Sequence, residues 1–315
     1  MEAKKGRREM KKFELTTEFI TNTFGKKLFR IKALVEFGDV KAGELGGYVE
    51  KEGNVSQGGN AWVSGNAWVC GNAWVSDNAA VSGNARVFGN AWVSGNAAVS
   101  GNARVCGNAW VCGNAAVSGN ARVYSNAKTS GNAAVFGDAR ICGDAEVFGN
   151  AKVFGNAWVC GNAAVSGNAR VCGDAEVFDN AKVFSGAKVS GNAWVCGNAW
   201  VSDNAAVSGN AKVSGNAWVS GNAWVCGNAA VSGNARVSSN ADYTLVQGFG
   251  TKLRCTTFCR SKNKKIMVNC GCFHGDLEGF RKQVKETRSG KIAKEYLMIA
   301  DLMEYHFTSE DSSNE

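Results

Sequence analysis

At 315 residues and 45% hydrophobic content the chain is long enough to bury a sizeable core. Its net charge of +8 divides as +3 over residues 1–58, +2 over 59–242 and +3 over 243–315, so no block is strongly basic and nucleic acid is not expected as a partner. No apolar run resembles a signal peptide or a membrane span, which predicts a soluble, cytoplasmic protein without a membrane partner.

Residues 1–9 are polar and basic and read as a disordered extension. Residues 10–58 follow as a small N-terminal cap. They hold the strand-like Lys27-Leu28-Phe29-Arg30-Ile31 and a turn-rich stretch over 38–50, and they run into the next segment without a linker. A cap is expected there because a repetitive β structure exposes unpaired strand edges at its ends.

From residue 59 to residue 242 one unit repeats. Alanine occupies every sixth position from Ala61 to Ala241, 31 times without an insertion, in units such as Val63-Ser64-Gly65-Asn66-Ala67-Trp68. Six is a multiple of two and not of 3.6, so each unit is a short strand and a turn. The Val position points inward, Ala fits the tight inner corner, and Gly-Asn supplies the bend, since Gly has no Cβ and Asn tolerates the left-handed conformation. The slot before Val repeats as Trp92, Ala98, Arg104, Trp110, Ala116, Arg122, a period of 18 that predicts three units per coil. About ten coils result, roughly 50 Å long at ~4.8 Å per strand.

The pattern aliphatic, any, any, any, small, any in Val-Ser-Gly-Asn-Ala-Trp resembles the hexapeptide repeat of left-handed parallel β-helices. The resemblance implies an all-β fold, a single-stranded left-handed parallel β-helix of triangular coils, closed by the N-terminal cap and by a C-terminal α+β cap.

Sorting the outward slot by 18 gives three columns. Trp74, Trp92 and Trp110 precede Lys128 in one; Arg86, Arg104, Arg122 and Arg140 follow Trp68 in the second; Ala80, Ala98, Ala116 and Ala134 follow Trp62 in the third. The Trp column predicts an exposed apolar strip of a size monomers seldom show, suited to a second copy or to a partner protein. The Arg column holds charges ~4.8 Å apart whose repulsion an acidic partner would relieve, although a solvated face with side chains fanned apart explains it as well. Ser82, Ser100 and Ser118 beside the Ala column make a flat face suited to close packing of two copies.

Residues 243–308 change character. Thr256-Thr257-Phe258 and Lys265-Ile266-Met267-Val268-Asn269-Cys270 predict a β-hairpin. Asp276 is an N-cap for a helix carrying Leu277, Phe280 and Val284, and Tyr296, Ala300, Met303 and Phe307 mark a second helix. Residues 309–315 form an acidic tail. Eight of the twelve cysteines share one hexad slot with Ser and Phe and read as small surface residues. Cys255, Cys259, Cys270 and Cys272 differ: parity within each pair would let the hairpin gather four thiols on one face, a zinc site to set against free half-buried thiols. No other cofactor is expected.

Phe29-Arg30-Ile31-Lys32-Ala33-Leu34, Phe37-Gly38-Asp39-Val40 and Gly46-Gly47-Tyr48-Val49-Glu50-Lys51-Glu52 resemble the N-terminal signature of phage and prophage repeat proteins labelled polymer-forming cytoskeletal protein. The run from Cys270 to Phe280, with Tyr296 and His306, resembles their C-terminal unit. The resemblance covers residues 10 to 307 and implies a prophage-encoded protein in the bacterial cytoplasm. Left-handed β-helices are also known from acyltransferases, which need a general base beside the coil. The 31 hexads hold no His; His274, expected in a turn before a helix, and His306, near a helix C-terminus, lie outside them. The resulting expectation is a non-enzymatic scaffold for self-association or partner binding, without a small-molecule substrate. The alternative is a transferase-like enzyme with an atypical site in the C-terminal unit.

Overall fold

A computed structural model describes residues 11–308; the extension expected at 1–9 and the tail expected at 309–315 lie outside the described residues. The chain divides into two compact units, residues 1–143 and 144–315.

In the first unit β1 (Phe13–Thr21), β2 (Lys27–Ala33) and β3 (Leu45–Val49) form an antiparallel ribbon. β2 covers the strand expected at 27–31, whereas β1 was not foreseen. β3 then joins the repeat in parallel, with Tyr48 beside Trp68 and Val49 beside Val69. Val55 bridges to Val75 in the same sense. The expected cap is thus also an irregular first turn of the repeat. Close approach explains its paired glycines: a Cβ on Gly47 would lie 2.5 Å from the Ala67 carbonyl oxygen.

The repeat in this unit supplies fourteen two-residue strands, β4 to β17, from Trp62–Val63 to Arg140–Ile141. Each pairs in parallel with the strand 18 residues away, as Ala98 does with Ala80 and Ala116, and three stacks of a parallel β-solenoid result. Val63, Val81 and Val99 are fully buried, as are Ala61, Ala79 and Ala97, so the core is the expected stack of Val and Ala. Thr129 takes a Val position, and its buried hydroxyl has no hydrogen-bond partner.

The bend differs from expectation in one respect. Gly is the left-handed residue, with φ of 65° at Gly101, where a Cβ would meet the Gly119 nitrogen at 3.0 Å. Where Gly is missing, Asp77 and Ser125 hold the same conformation. Asn instead projects outward, and Asn84, Asn102 and Asn120 form a side-chain ladder with amide hydrogen bonds of 3.2 and 3.1 Å.

Side chains close the open edge at this end. The Lys12 ammonium donates to the Ala61 and Gly59 carbonyls at 2.8 and 3.3 Å, and the buried Asn54 amide donates to those of Gly71 and Ala73 at 3.1 and 2.8 Å. Trp62 and Trp68, which head two outward columns, are buried rather than exposed. Phe13 and Phe37 lie edge-on to Trp62 because the cap folds back over the first rungs, and Trp68 is covered by Leu28 and Tyr48 of the cap and by Phe88 of the next coil. Cys70 is buried there too, which corrects its reading as a surface residue.

The second unit carries sixteen such strands, β18 to β33, from Glu146–Val147 to Arg236–Val237, in the same parallel register. A four-stranded antiparallel sheet follows: β34 (Tyr243–Phe249), β35 (Arg254–Arg260), β36 (Ile266–Cys270) and β37 (Phe273–Asp276). The expected hairpin is its middle pair. α1 (Leu277–Thr287) starts at Asp276, whose carboxylate accepts from the Gly279 amide at 2.9 Å, and α2 (Gly290–Thr308) completes the layer. One sheet face packs Phe258 and Val268 against Phe280, Tyr296 and Met303.

The other face seals the solenoid. Thr257 Oγ1 accepts from the Ala230 amide and Asn269 Nδ2 donates to the Ala230 carbonyl, both at 2.9 Å. On the next edge Asn240 Oδ1 accepts from the Trp224 amide at 2.8 Å, and Tyr243 donates to the Trp224 carbonyl at 2.5 Å. These side chains stand in for the strand that a further coil would supply. Among the described residues no helix is long and apolar enough to cross a membrane.

Candidate interaction surface

The Trp column is built by register. Trp74, Trp92 and Trp110 pair in sequence, and the Val following each is fully buried, so each indole is turned outward. Their exposures are 42, 39 and 38%. Adjacent ring centroids lie 5.3 Å apart in both pairs, and both pairs are stacked. Lys128 continues the column beside Trp110. Three partly exposed indoles in line make a continuous apolar ridge.

Arg86, Arg104, Arg122 and Arg140 also pair in register. The first is tied down, its guanidinium 5.7 Å from the Trp68 ring centroid, while the other three are exposed. On the remaining face Ala80 and Ala98 are exposed, and Ala116 and Ala134 half-buried, with Ser82, Ser100 and Ser118 alongside. Small side chains line this face at these rungs.

In the second unit, as with Arg86 on Trp68, cations sit on indoles one rung away. Lys182 lies 5.0 Å from Trp200, Lys212 4.8 Å from Trp194 and Arg236 4.6 Å from Trp218. Such contacts stabilise by about 0.5–1 kcal/mol each at exposed sites. The 18-residue spacing of Lys182 and Trp200 already encodes this pairing in the sequence.

The four C-terminal thiols are not brought together. Cys270 pairs with Thr256 and Cys259 with Met267, so Cys270 shares the helix-side face with Phe258 while Cys255 and Cys259 share the opposite face. Cys259 is fully buried, and burial pushes its thiol up to about 12, whereas Cys272 is exposed in the turn after β36. The hairpin register divides the proposed zinc ligands, and the described residues contain no group of three or more metal-ligating side chains.

His274 lies in β37, not in a turn. Its Nδ1 is 2.6 Å from Asn269 Oδ1 and 2.9 Å from Ser232 Oγ, and Ser232 Oγ donates to the same Asn269 oxygen at 2.6 Å. Because Asn269 Nδ2 is committed to the Ala230 carbonyl, its oxygen accepts both bonds, which places the proton on His274 Nδ1. The imidazole therefore donates at this point and is not set to take the serine proton. His306 sits in the last turn of α2.

Fold and surface together define a β-solenoid repeat protein. A family model described as the YdcK beta solenoid repeat matches residues 79–95, 97–113 and 211–227, stretches that include Trp92, Trp110, Trp218 and Trp224. No curated protein matches the chain.

Proposed function

We propose that the chain is a non-enzymatic scaffold, a left-handed parallel β-helix of the hexapeptide-repeat kind, whose Trp74-Trp92-Trp110 ridge docks on a second copy. The observation that carries this reading is the ridge itself: stacked indoles, partly exposed and held in fixed register by a buried Val ladder. The flat Ala-Ser face gives the ridge of another copy a surface without bulk or charge to lie against. Sealing of the solenoid edges by Lys12, Asn54, Thr257 and Asn269 supports association along the sides and disfavours growth by adding strands at the ends. The exposed Arg104, Arg122 and Arg140 provide a second contact for an acidic partner.

The non-enzymatic part of the proposal is supported by His274, which is engaged in joining β37 to the last rungs. The prophage origin rests on the resemblance of both flanks, and a cytoplasmic setting is supported by cysteine usage, since eight of the twelve share a hexad slot with Ser and Phe instead of following a secreted disulfide pattern. Sedimentation velocity on the full chain and on the variant Trp74→Ser/Trp92→Ser/Trp110→Ser tests the reading. Concentration-dependent assembly of the parent and its loss in the variant are expected. Loss of an acyl-transfer activity on His274→Ala, with the fold intact, would overturn the non-enzymatic reading.

A further inference from the structure

In one stack of the second unit the outward slots run Trp158, Glu176, Trp194, Lys212, paired in register. Lys212 lies on the side of Trp194 away from Glu176, 4.8 Å from the ring centroid. On the near side the rung between two indoles carries a carboxylate instead of a cation. Trp158, Cys160, Glu176, Phe178 and Trp194 line a cleft of about 250 Å³ there. Phe178 stands against Trp194 with centroids 5.1 Å apart and planes 44° apart, forming a wall of the cleft. Glu176 is half-buried, and among the described residues it makes no ion pair.

We propose that Trp158, Glu176, Phe178 and Trp194 form a binding site for a small quaternary ammonium compound of choline type. Two rungs separate the indoles, about 9.6 Å at ~4.8 Å per strand, so a cation midway lies about 4.8 Å from each ring and inside the ~6 Å range of cation–π attraction. That is the spacing the chain itself uses between Lys212 and Trp194. The carboxylate supplies the opposite charge. A primary ammonium would bring three N–H donors into a cleft with one carboxylate to receive them and would lose hydration it could not replace. A quaternary ammonium has diffuse charge, methyl groups for the indole faces and no N–H to satisfy. The site is independent of the Trp74-Trp92-Trp110 ridge, which belongs to the other unit.

The test is a titration of the 5-fluorotryptophan-labelled full chain with tetramethylammonium chloride and with choline, followed by fluorine NMR. Trp158→Phe and Trp194→Phe assign the two resonances. Saturable shifts of those two signals are expected, with affinity about tenfold weaker in Glu176→Gln and no saturable shift with the uncharged analogue 3,3-dimethylbutan-1-ol. Unshifted signals from the other eight indoles in Glu176→Gln show that the fold is kept. Absence of saturable shifts in the parent, or equal binding by parent and Glu176→Gln, would overturn the proposal, as would equal binding of the uncharged analogue.

Discussion

Trp92 and Trp110 stack with ring centroids 5.3 Å apart and planes 11° from parallel. Each indole is also tied at its polar end: Trp92 Nε1 donates to Ser76 Oγ and Trp110 Nε1 to Ser94 Oγ, both at 3.4 Å. Rings fixed in this way lose little further freedom when a partner covers them. Ser94→Ala should therefore weaken self-association several-fold while changing folding stability by no more than about 1 kcal/mol. Sedimentation velocity and urea denaturation on the same samples check the two halves; unchanged association would show that the Ser-indole bond plays no part.

The Val ladder has one polar interruption. The Thr129 hydroxyl is fully buried without a partner, so Thr129→Val should stabilise the chain by about 1–2 kcal/mol. Ala109 sits in the inner corner with no exposed surface, and Ala109→Leu should destabilise by about 1–3 kcal/mol or more, whereas Ala116→Ser in the outer slot should be nearly silent. Urea midpoints that fall for Thr129→Val would contradict this account of the core.

Burial holds the Lys12 amine down from its ordinary 10.5 to about 8. Between these values the unfolded chain keeps a proton that the folded chain has lost, so Lys12 makes stability rise with pH from about 8 to about 10.5. Below that window both states are protonated and the slope vanishes. Cys259 and Cys70 are pushed up by burial and act in the opposite direction, so the parent must be compared with Lys12→Met. The stability difference between parent and Lys12→Met should move in the parent's favour as pH rises through the window; parallel curves would refute the assignment.

Arg104→Glu with Arg122→Glu tests whether the second column contributes to association. Exposed charges in register repel by about 1 kcal/mol or less per pair. If an acidic surface engages them, reversal should abolish that contact at low salt, and the difference from the parent should fade once the screening length falls to about 8 Å. A difference that persists at high salt would point to a packing effect.

The repeat was legible because its rules are local and periodic. An inward Val, a small Ala corner and an 18-residue slot period predict register without knowledge of distant contacts, and the Trp74-Trp92-Trp110 column follows from them. The ends were less legible. β1, β34 and β37 form by pairing with other strands of the caps, and no period in Phe13–Thr21 or Phe273–Asp276 announces this. Trp62 and Trp68 obey the slot rule, yet the cap covers them. Cys255 and Cys259 have matching parity within β35, but Cys272 falls in the turn after β36, and alignment between strands, which depends on the length of the Ser261–Lys265 turn, sets Cys270 across from Thr256. His274 gained its role from Ser232, 42 residues away in sequence, and from Asn269 on the neighbouring strand.

The most direct test of the central claim is sedimentation equilibrium on the full chain beside Trp74→Ser/Trp92→Ser/Trp110→Ser, with circular dichroism on both. The account predicts matching β spectra, a parent whose mass climbs above that of one chain as concentration rises, and a variant that stays at the mass of one chain. A parent that remains a single chain across the range, or a variant that assembles as the parent does, would contradict it.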